Sequence, residues 1–201
     1  MVSTGSLKRI VFVVCAWPTV WLVGRGLVGA LGANPIEEIT HDTGIWTLRL
    51  LLATLAIAPL GYLTTWHRLM PARRMVGLFA FFYGCLHFTT YVVLDWFFDV
   101  EAIVEDVVER PYITAGFTAF VLLIPLAVTS TRAMVRRVGR RRWQLLHRLV
   151  YASATAGAAH FIWQAKADLR RPGLYAGVLA ILLAIRLWRR YGPARSAHSR
   201  A

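Results

Sequence analysis

Three histidines in apolar surroundings carry most of the chemistry this sequence can offer. His87 lies in the run MVGLFAFFYGCLHFTTYVVL, and His147 and His160 lie at the two ends of WQLLHRLVYASATAGAAHFIW, residues 143–163. A neutral imidazole is a good ligand for a transition metal, and an ionisable group inside an apolar span is costly unless it faces a partner, an ion or a cofactor. Three such residues on two helices point to a cofactor. The bland alternative is that each is a hydrogen-bonded packing residue between helices. Cys15 and Cys85 also fall in apolar runs and read as small buried hydrophobes, because thiolate zinc and iron–sulfur sites need three or four close ligands. His41, His67 and His198 fall in loops or the tail and read as solvated, with His41 in HDTG placed to assist an outer contact.

The elements that position these side chains are membrane spans. Hydrophobic residues make up 57% of 201 residues and the mean hydropathy is +0.53, beyond the usual share for soluble domains. A spanning helix needs about 20 mostly apolar residues. Six stretches qualify: Ile10–Leu31, Ile45–Thr64, Met75–Leu94, Tyr112–Ser130, Trp143–Trp163 and Gly173–Trp188. The expected fold is an all-α integral membrane protein, one six-helix bundle over residues 1–201. The first stretch resembles a secretory signal, but five more spans follow it, so it reads as an uncleaved helix. Trp66, Trp96, Trp143, Trp163 and Trp188 fall near span ends, where amphipathic rings sit at the membrane surface.

Charge sets the orientation. The net charge of +13 is concentrated between alternate spans, around Lys8 and Arg9, Arg68 to Arg74, Arg132 to Arg148, and Arg186 to Arg200. All ten acids fall on the other side, from Glu37, Glu38 and Asp42 through the Asp95–Glu109 segment to Asp168. The positive-inside rule makes the basic side, with both termini, cytoplasmic. Basic residues arranged this way need no nucleic acid to explain them. The segment Asp95–Arg110, DWFFDVEAIVEDVVER, has two readings: a short amphipathic helix on the outer surface, where an exported partner could dock, or a solvated loop.

In an alternating bundle the third and fifth helices run in the same direction. His87 and His160 then reach similar depth on the outer side, where two imidazoles can face each other across one iron. Bis-histidine ligation with no open position suits electron transfer rather than oxygen chemistry. His147 lies about 20 Å lower along the helix axis. At its level the third helix offers Arg73 and Arg74, of which Arg73 shares the His87 face to within about 40°. These arginines are expected at the propionates of a second, inner haem, or at its sixth position. A straight helix separates His147 from His160 by roughly 140° in azimuth. Either it is overwound near Ala156–Ala159, or the two histidines face different neighbours. Gly24-Arg25-Gly26-Leu27-Val28-Gly29 matches G-x-G-x-x-G, but that motif needs a strand–turn–helix context, so close helix packing by small residues is the expectation.

Four runs carry a family resemblance: LGANPIEEITHDTGIWTLRLLLAT at 31–54, RRMVGLFAFFYGCLHFTTY at 73–91, RPYITAGFTAFVLLIPLAVTS at 110–130, and RRWQLLHRLVY followed by AAHFIW within 141–163. They resemble the MsrQ family, the haem-binding membrane subunits of the periplasmic methionine sulfoxide reductase system. More broadly they are similar to the ferric reductase-like transmembrane domain shared with NADPH oxidases. The resemblance implies b-type haem, one or two per chain, with His87, His147 and His160 as axial ligands, and FMN. Arg73 stands where the broader pattern has a fourth histidine. It also implies a place in the bacterial inner membrane and electrons drawn from the quinone pool or a cytoplasmic flavin reductase. The receiving partner would be an exported molybdopterin catalytic subunit, MsrP, which repairs methionine sulfoxide, so this chain would be the electron-transfer subunit of an oxidoreductase complex. No flavin and NADPH domain follows Trp188, so the reductant is expected from elsewhere. Two rival readings are a free-standing transmembrane reductase of ferric iron or quinone, and a haem-free transporter or scaffold.

Overall fold

The computed structural model describes residues 4–64, 67–165 and 168–191. Trp66, Arg195, His198 and Arg200 lie outside the described residues. The helices are α1 (Thr4–Leu27), α2 (Pro35–Leu63), α3 (Arg73–Thr90), α4 (Val100–Glu109), α5 (Pro111–Val128), α6 (Arg132–Val138), α7 (Arg140–Leu146), α8 (Leu149–Gln164) and α9 (Arg170–Tyr191). A 3-10 segment, His67–Ala72, leads into α3, and a π-helical turn, Tyr91–Asp95, extends it. No strand occurs among the described residues.

Among the described residues five helical stretches are long and apolar enough to cross a membrane: Gly5–Leu27, Pro35–Leu63, His67–Asp95, Pro111–Val128 and Arg170–Tyr191. The chain is a multi-pass membrane protein. Its outer surface agrees, because α1 turns Phe12, Val13, Trp17, Val20 and Trp21 outward, each more than half exposed, where only lipid could cover them. The interior is centred on α2, whose Leu48, Leu51, Leu52 and Leu55 are buried against Val76, Ala80 and Tyr83 of α3, Leu123 and Leu126 of α5, Ala154 and Ala158 of α8, and Leu179 and Leu182 of α9.

The expected single helix over 143–163 is broken. Around His147 the backbone tightens: Arg148 N–H donates to Leu145 O (3.1 Å) and Tyr151 N–H to Arg148 O (3.0 Å), bonds three residues back instead of four. Trp143 and His147 are held to the end of α5, with the indole N–H donating to Thr129 O (2.9 Å) and His147 Nε2 against Thr129 Oγ1 (3.0 Å). The rotation problem is resolved at this break rather than by overwinding near Ala156–Ala159, which lies within regular helix. Both histidines consequently face one neighbour, α5, at its opposite ends. Between them Ser153 Oγ donates to Ala119 O (2.8 Å), and Gly157 comes within reach of the Ala119 Cβ. Small residues let the two backbones approach.

Other expectations shift as well. The second span begins at Pro35, because Asn34 caps the helix by accepting from Glu37 N–H (3.3 Å), Pro35 opens it, and Glu37 and Glu38 occupy its positive first turn. His41 is therefore an exposed helical residue rather than a loop residue, and His67 lies in the 3-10 segment. Gly24 and Gly29 have no neighbouring atom within 4 Å of a built Cβ, so the glycine motif does not pack helices together. Instead Gly29, at φ +67°, ends the α1 region in the left-handed conformation glycine tolerates. Arg25, the charge inside the first span, pairs with Glu38 and donates to Ala30 O (2.8 Å), tying α1 to α2.

Pro18 interrupts α1, and the repair comes from another helix. The Tyr83 hydroxyl, on a side chain only 1% exposed, donates to Cys15 O (2.9 Å) and accepts from Thr19 N–H (3.0 Å). It thus inserts into the backbone ladder of α1 beside the proline. Tyr83→Phe leaves one buried carbonyl and one buried N–H without a partner, a loss of about 1–3 kcal/mol for each group. The expected outcome is a clearly lower melting temperature in detergent with membrane insertion retained; an unchanged melting temperature would refute the repair.

Candidate functional site

α3 delivers His87 from its last turn, and α8 His160 from just before its last turn, into the same space. The His87 and His160 ring centres are 6.2 Å apart, with the ring planes at 68°. His87 Nδ1 bonds to Thr40 O of α2 (2.9 Å) and His160 Nδ1 to Tyr112 O of α5 (2.7 Å). A carbonyl can only accept, so each Nδ1 carries the proton and each neutral ring keeps its lone pair on Nε2. This is the tautomer a metal-binding imidazole adopts when a backbone carbonyl orients it.

One device holds both rings. Four residues after Thr40 stands Gly44, where an added Cβ would meet His87 Cε1 at 3.0 Å and Nδ1 at 3.1 Å. Four residues after Tyr112 stands Gly116, where an added Cβ would meet His160 Nδ1 at 2.8 Å. One helical turn separates carbonyl from glycine, so each imidazole lies on a bare stretch of helix directly beside its acceptor.

The two rings line a cavity of about 640 Å³ enclosed by α2, α3, α5 and α8. Its walls are apolar, with Ile45, Leu48, Leu51, Phe88, Phe117, Phe120 and Leu123. Its mouth is polar, with Asn34, Glu37, Asp95, Arg110, Tyr112 and Gln164. Asp106 of α4 is buried there, accepting from the Tyr91 hydroxyl (2.7 Å) and paired with Arg110 Nε (2.9 Å). The Tyr112 hydroxyl and then Asp106 raise the Arg110 guanidinium pKa above its usual value. The amphipathic reading of 95–110 takes shape as α4, capped by Asp99 accepting from Ala102 N–H (3.0 Å). It exposes Val100, Val104 and Val108 along one stripe and Glu101, Glu105 and Glu109 along the next.

The chemistry of the donor set fits a haem. Two neutral imidazoles presenting Nε2 at one apolar cavity are a donor set that a haem iron would take. The ring centres, 6.2 Å apart, leave room for one metal between them, and the cavity has the size and apolar lining of a cofactor site. Among the described residues no group of three or more His, Cys, Asp or Glu is arranged to hold a bare metal ion.

His147 is not brought to this pair. It lies at the other end of α8, stacked on Trp143 with ring centres 3.9 Å apart. The Thr129 hydroxyl donates to Pro125 O (2.6 Å), so it accepts from His147, whose proton is then on Nε2, the opposite tautomer. Arg73 is half-buried and within electrostatic reach of His147, whereas Arg74 is exposed. The sequence alone did not point to Thr40, Gly44, Tyr112 and Gly116, although a lone glycine in the first third of each helix was the available signal. Nor did it point to the Tyr91–Asp106–Arg110 cluster, which depends on how α4 folds back.

Comparison with known proteins agrees with this geometry. Residues 43–158 match the family described as ferric reductase like transmembrane component. The chain is 55% identical over 182 residues to the protein-methionine-sulfoxide reductase heme-binding subunit MsrQ of Rhodospirillum rubrum, covering 90% of this chain and 88% of that one. It is 52% identical over 184 residues to MsrQ of Herminiimonas arsenicoxydans, covering 90% and 84%. To MsrQ of Ralstonia nicotianae it is 47% identical over 188 residues, covering 92% and 87%. The family match covers His87 and the cavity wall from Gly44 in α2 to Gly157 in α8, with Thr40 and His160 just outside it, and with identity at this level along nine-tenths of its length the chain belongs to the MsrQ family.

Proposed function

We propose that this chain is the haem-binding membrane subunit of a protein-methionine-sulfoxide reductase system, passing electrons across the inner membrane to a periplasmic catalytic partner. The observation that carries the reading is the His87–His160 pair, each ring fixed through Nδ1 to a backbone carbonyl and presenting Nε2 as its basic nitrogen. His87 and His160 would bind the iron from two sides. Thr40 and Tyr112 orient the rings, Gly44 and Gly116 make room for them, and Phe88, Phe117 and Phe120 exclude water from the cavity walls. A b-type haem held this way supplies reversible one-electron transfer. With two protein imidazoles as its ligands, a haem here would favour electron transfer over oxygen binding.

In this reading six spans cross the membrane. α8 alone rises about 24 Å against a hydrocarbon core of roughly 30 Å, and α7 supplies the remainder of the fifth span. The segregation of basic and acidic residues supports cytoplasmic termini and an outward-facing cavity mouth. The electron donor is the quinone pool or a cytoplasmic flavin reductase, and the acceptor a molybdopterin-containing MsrP-type subunit. FMN enters through the family resemblance alone. A second reading, with two haems, places His147 at an inner iron and Arg73 or Arg74 at its propionates or sixth position. The electrostatic reach between Arg73 and His147 favours it. The free-standing ferric reductase is favoured by the family description, and purified protein reducing a ferric chelate rapidly without a partner would establish it.

Purified protein is expected to show the Soret and α bands of low-spin b haem, at one haem per chain; a ratio of two supports the inner site at His147. His87→Ala and His160→Ala should each abolish the outer haem signal while the protein still inserts, and retention of haem in both would sink the ligand assignment. Gly116→Ala should lower haem occupancy at least severalfold, because the new methyl occupies the His160 ring position. Gly177→Ala, where nothing lies within 4 Å, should leave occupancy unchanged. Equal haem content in the two glycine variants would show that the bare helix surface plays no part.

A further inference from the structure

A second, smaller cavity opens between α1 and α2, on the side where α1 turns its apolar residues outward. It holds about 120 Å³, too little for a cofactor, and its lining includes Trp17 and Trp21 of α1 with Asp42 and Trp46 of α2. Trp17 and Trp21 stack with ring centres 6.2 Å apart, and both are more than half exposed. Three indoles beside one carboxylate suit an organic ammonium, because the rings attract a cation through their quadrupoles and the carboxylate supplies the opposite charge.

Arg49 stands seven residues after Asp42, within about 20° of the same face of α2 and about 10 Å further along its axis. It is exposed, although α2 is long and apolar enough to span the membrane. Its guanidinium lies over the Trp46 ring, 4.9 Å from the ring centre, and Nε donates to the Tyr175 hydroxyl of α9 (2.7 Å). Both partners are neutral, and neither ion pair among the described residues, Arg25–Glu38 or Arg110–Asp106, includes Asp42 or Arg49. A guanidinium that faces lipid without an anion is costly.

Depth says where the anion comes from. Counting about 20 residues back from Leu63, the last residue of α2, puts the edge of the hydrocarbon core near Thr43. Asp42 is then in the headgroup layer, and the long side chain of Arg49 reaches that layer from about 9 Å below. Outward along α2 the chain thus offers a cation and then a carboxylate in an aromatic cavity. A phospholipid that carries an ammonium beyond its phosphate presents the opposite charges in the same order, and a guanidinium fork matches phosphate oxygens.

We propose that Trp17, Trp21, Asp42, Trp46 and Arg49 bind a zwitterionic phospholipid from the leaflet on the His87 side, with its ammonium in the aromatic cavity and its phosphate at Arg49. The inference does not depend on haem at His87 and His160.

The test follows the melting temperature of the full chain in dodecyl maltoside at pH 7 by circular dichroism. Three lipids are added in turn: dioleoylphosphatidylethanolamine, which has both charges, dioleoylphosphatidylglycerol, which lacks the ammonium, and dioleoylglycerol, which lacks both. Stabilisation should fall in that order. In Asp42→Asn the ethanolamine lipid should need about tenfold more for the same shift, the loss of one charge-assisted contact, while the glycerol phospholipid acts as before. Arg49→Gln should weaken both phospholipids. Glu105→Gln, the same charge change as Asp42→Asn on exposed α4, should alter neither. An ethanolamine lipid no better than phosphatidylglycerol, or as effective in Asp42→Asn as in the unaltered chain, overturns the proposal. Phospholipids no better than dioleoylglycerol, or undiminished in Arg49→Gln, overturn it as well. Asp42→Asn keeps the shape of the side chain, so it decides the matter even where Arg49→Gln does not insert.

Discussion

A hydrogen bond from imidazole Nδ1 to a backbone carbonyl of a neighbouring helix is the interaction on which the rest of this structure depends. It occurs twice, and each occurrence settles three things together: the tautomer, the ring orientation and the closeness of two helices. Water is scarce at this depth, so a ring without an acceptor would be costly to bury. The acceptors are helical carbonyls, which already take one intrahelical bond and have a second lone pair to offer. Reaching that lone pair requires the ring to lie against the acceptor helix one turn further on, which is why Gly44 and Gly116 are where they are. Without the bare backbone the bond cannot form at its observed length.

The membrane class, most spans and the pairing of His87 with His160 were legible in the sequence because each follows from one-dimensional periodicity: apolar runs of known length, and depth counted along helices of constant rise. The helix break at His147 was not legible. No proline or glycine marks it, and its cause is tertiary, the pull of Thr129 on Trp143 and His147. The start of α2 was legible in principle, since Asn34-Pro35 followed by Glu37 and Glu38 is a helix N-terminus, but hydropathy alone placed the boundary at the first apolar residue. Side chains that repair backbone on another helix, as Tyr83 does beside Pro18, leave no local trace at all.

Charge is sorted as strictly as hydrophobicity. The acids gather around the cavity mouth, where Asp106 is held by Tyr91 and Arg110, and Glu101, Glu105 and Glu109 face outward from α4. Most of the arginines gather at the other end, partly over tyrosine rings that stabilise cations without neutralising them, while Arg25 and Arg110 stay among the acids as their ion-pair partners. Sorting of this kind orients a protein in its membrane, and it also forbids ion pairs across the bundle. Between the two ends His87 and His160 are neutral rings, and Arg49, midway along α2, donates to the Tyr175 hydroxyl (2.7 Å).

The helix break at His147 bears on the geometry of the distant histidine pair. α5 and α8 are bonded along their whole shared length, from Tyr112 with His160, through Ala119 with Ser153, to Thr129 with Trp143 and His147. A straight helix could satisfy the first two contacts only by turning His147 away, since its azimuth would differ by roughly 140°. Replacing a few four-back bonds by three-back bonds keeps both ends of the strap on one partner. α2 and α3 form the other strap, joined by Thr40 with His87 and by a core that includes Leu55, Ala80 and Tyr83. The cavity lies between these two packed pairs, each carrying one histidine on one helix and its acceptor on the other. The spacing of the rings is therefore set by how two stiff helix pairs dock, not by the flexibility of either side chain. In the proposed function, a site built this way would hold its two ligands in place through a change of charge at its centre, and that rigidity would keep reorganisation small in one-electron transfer.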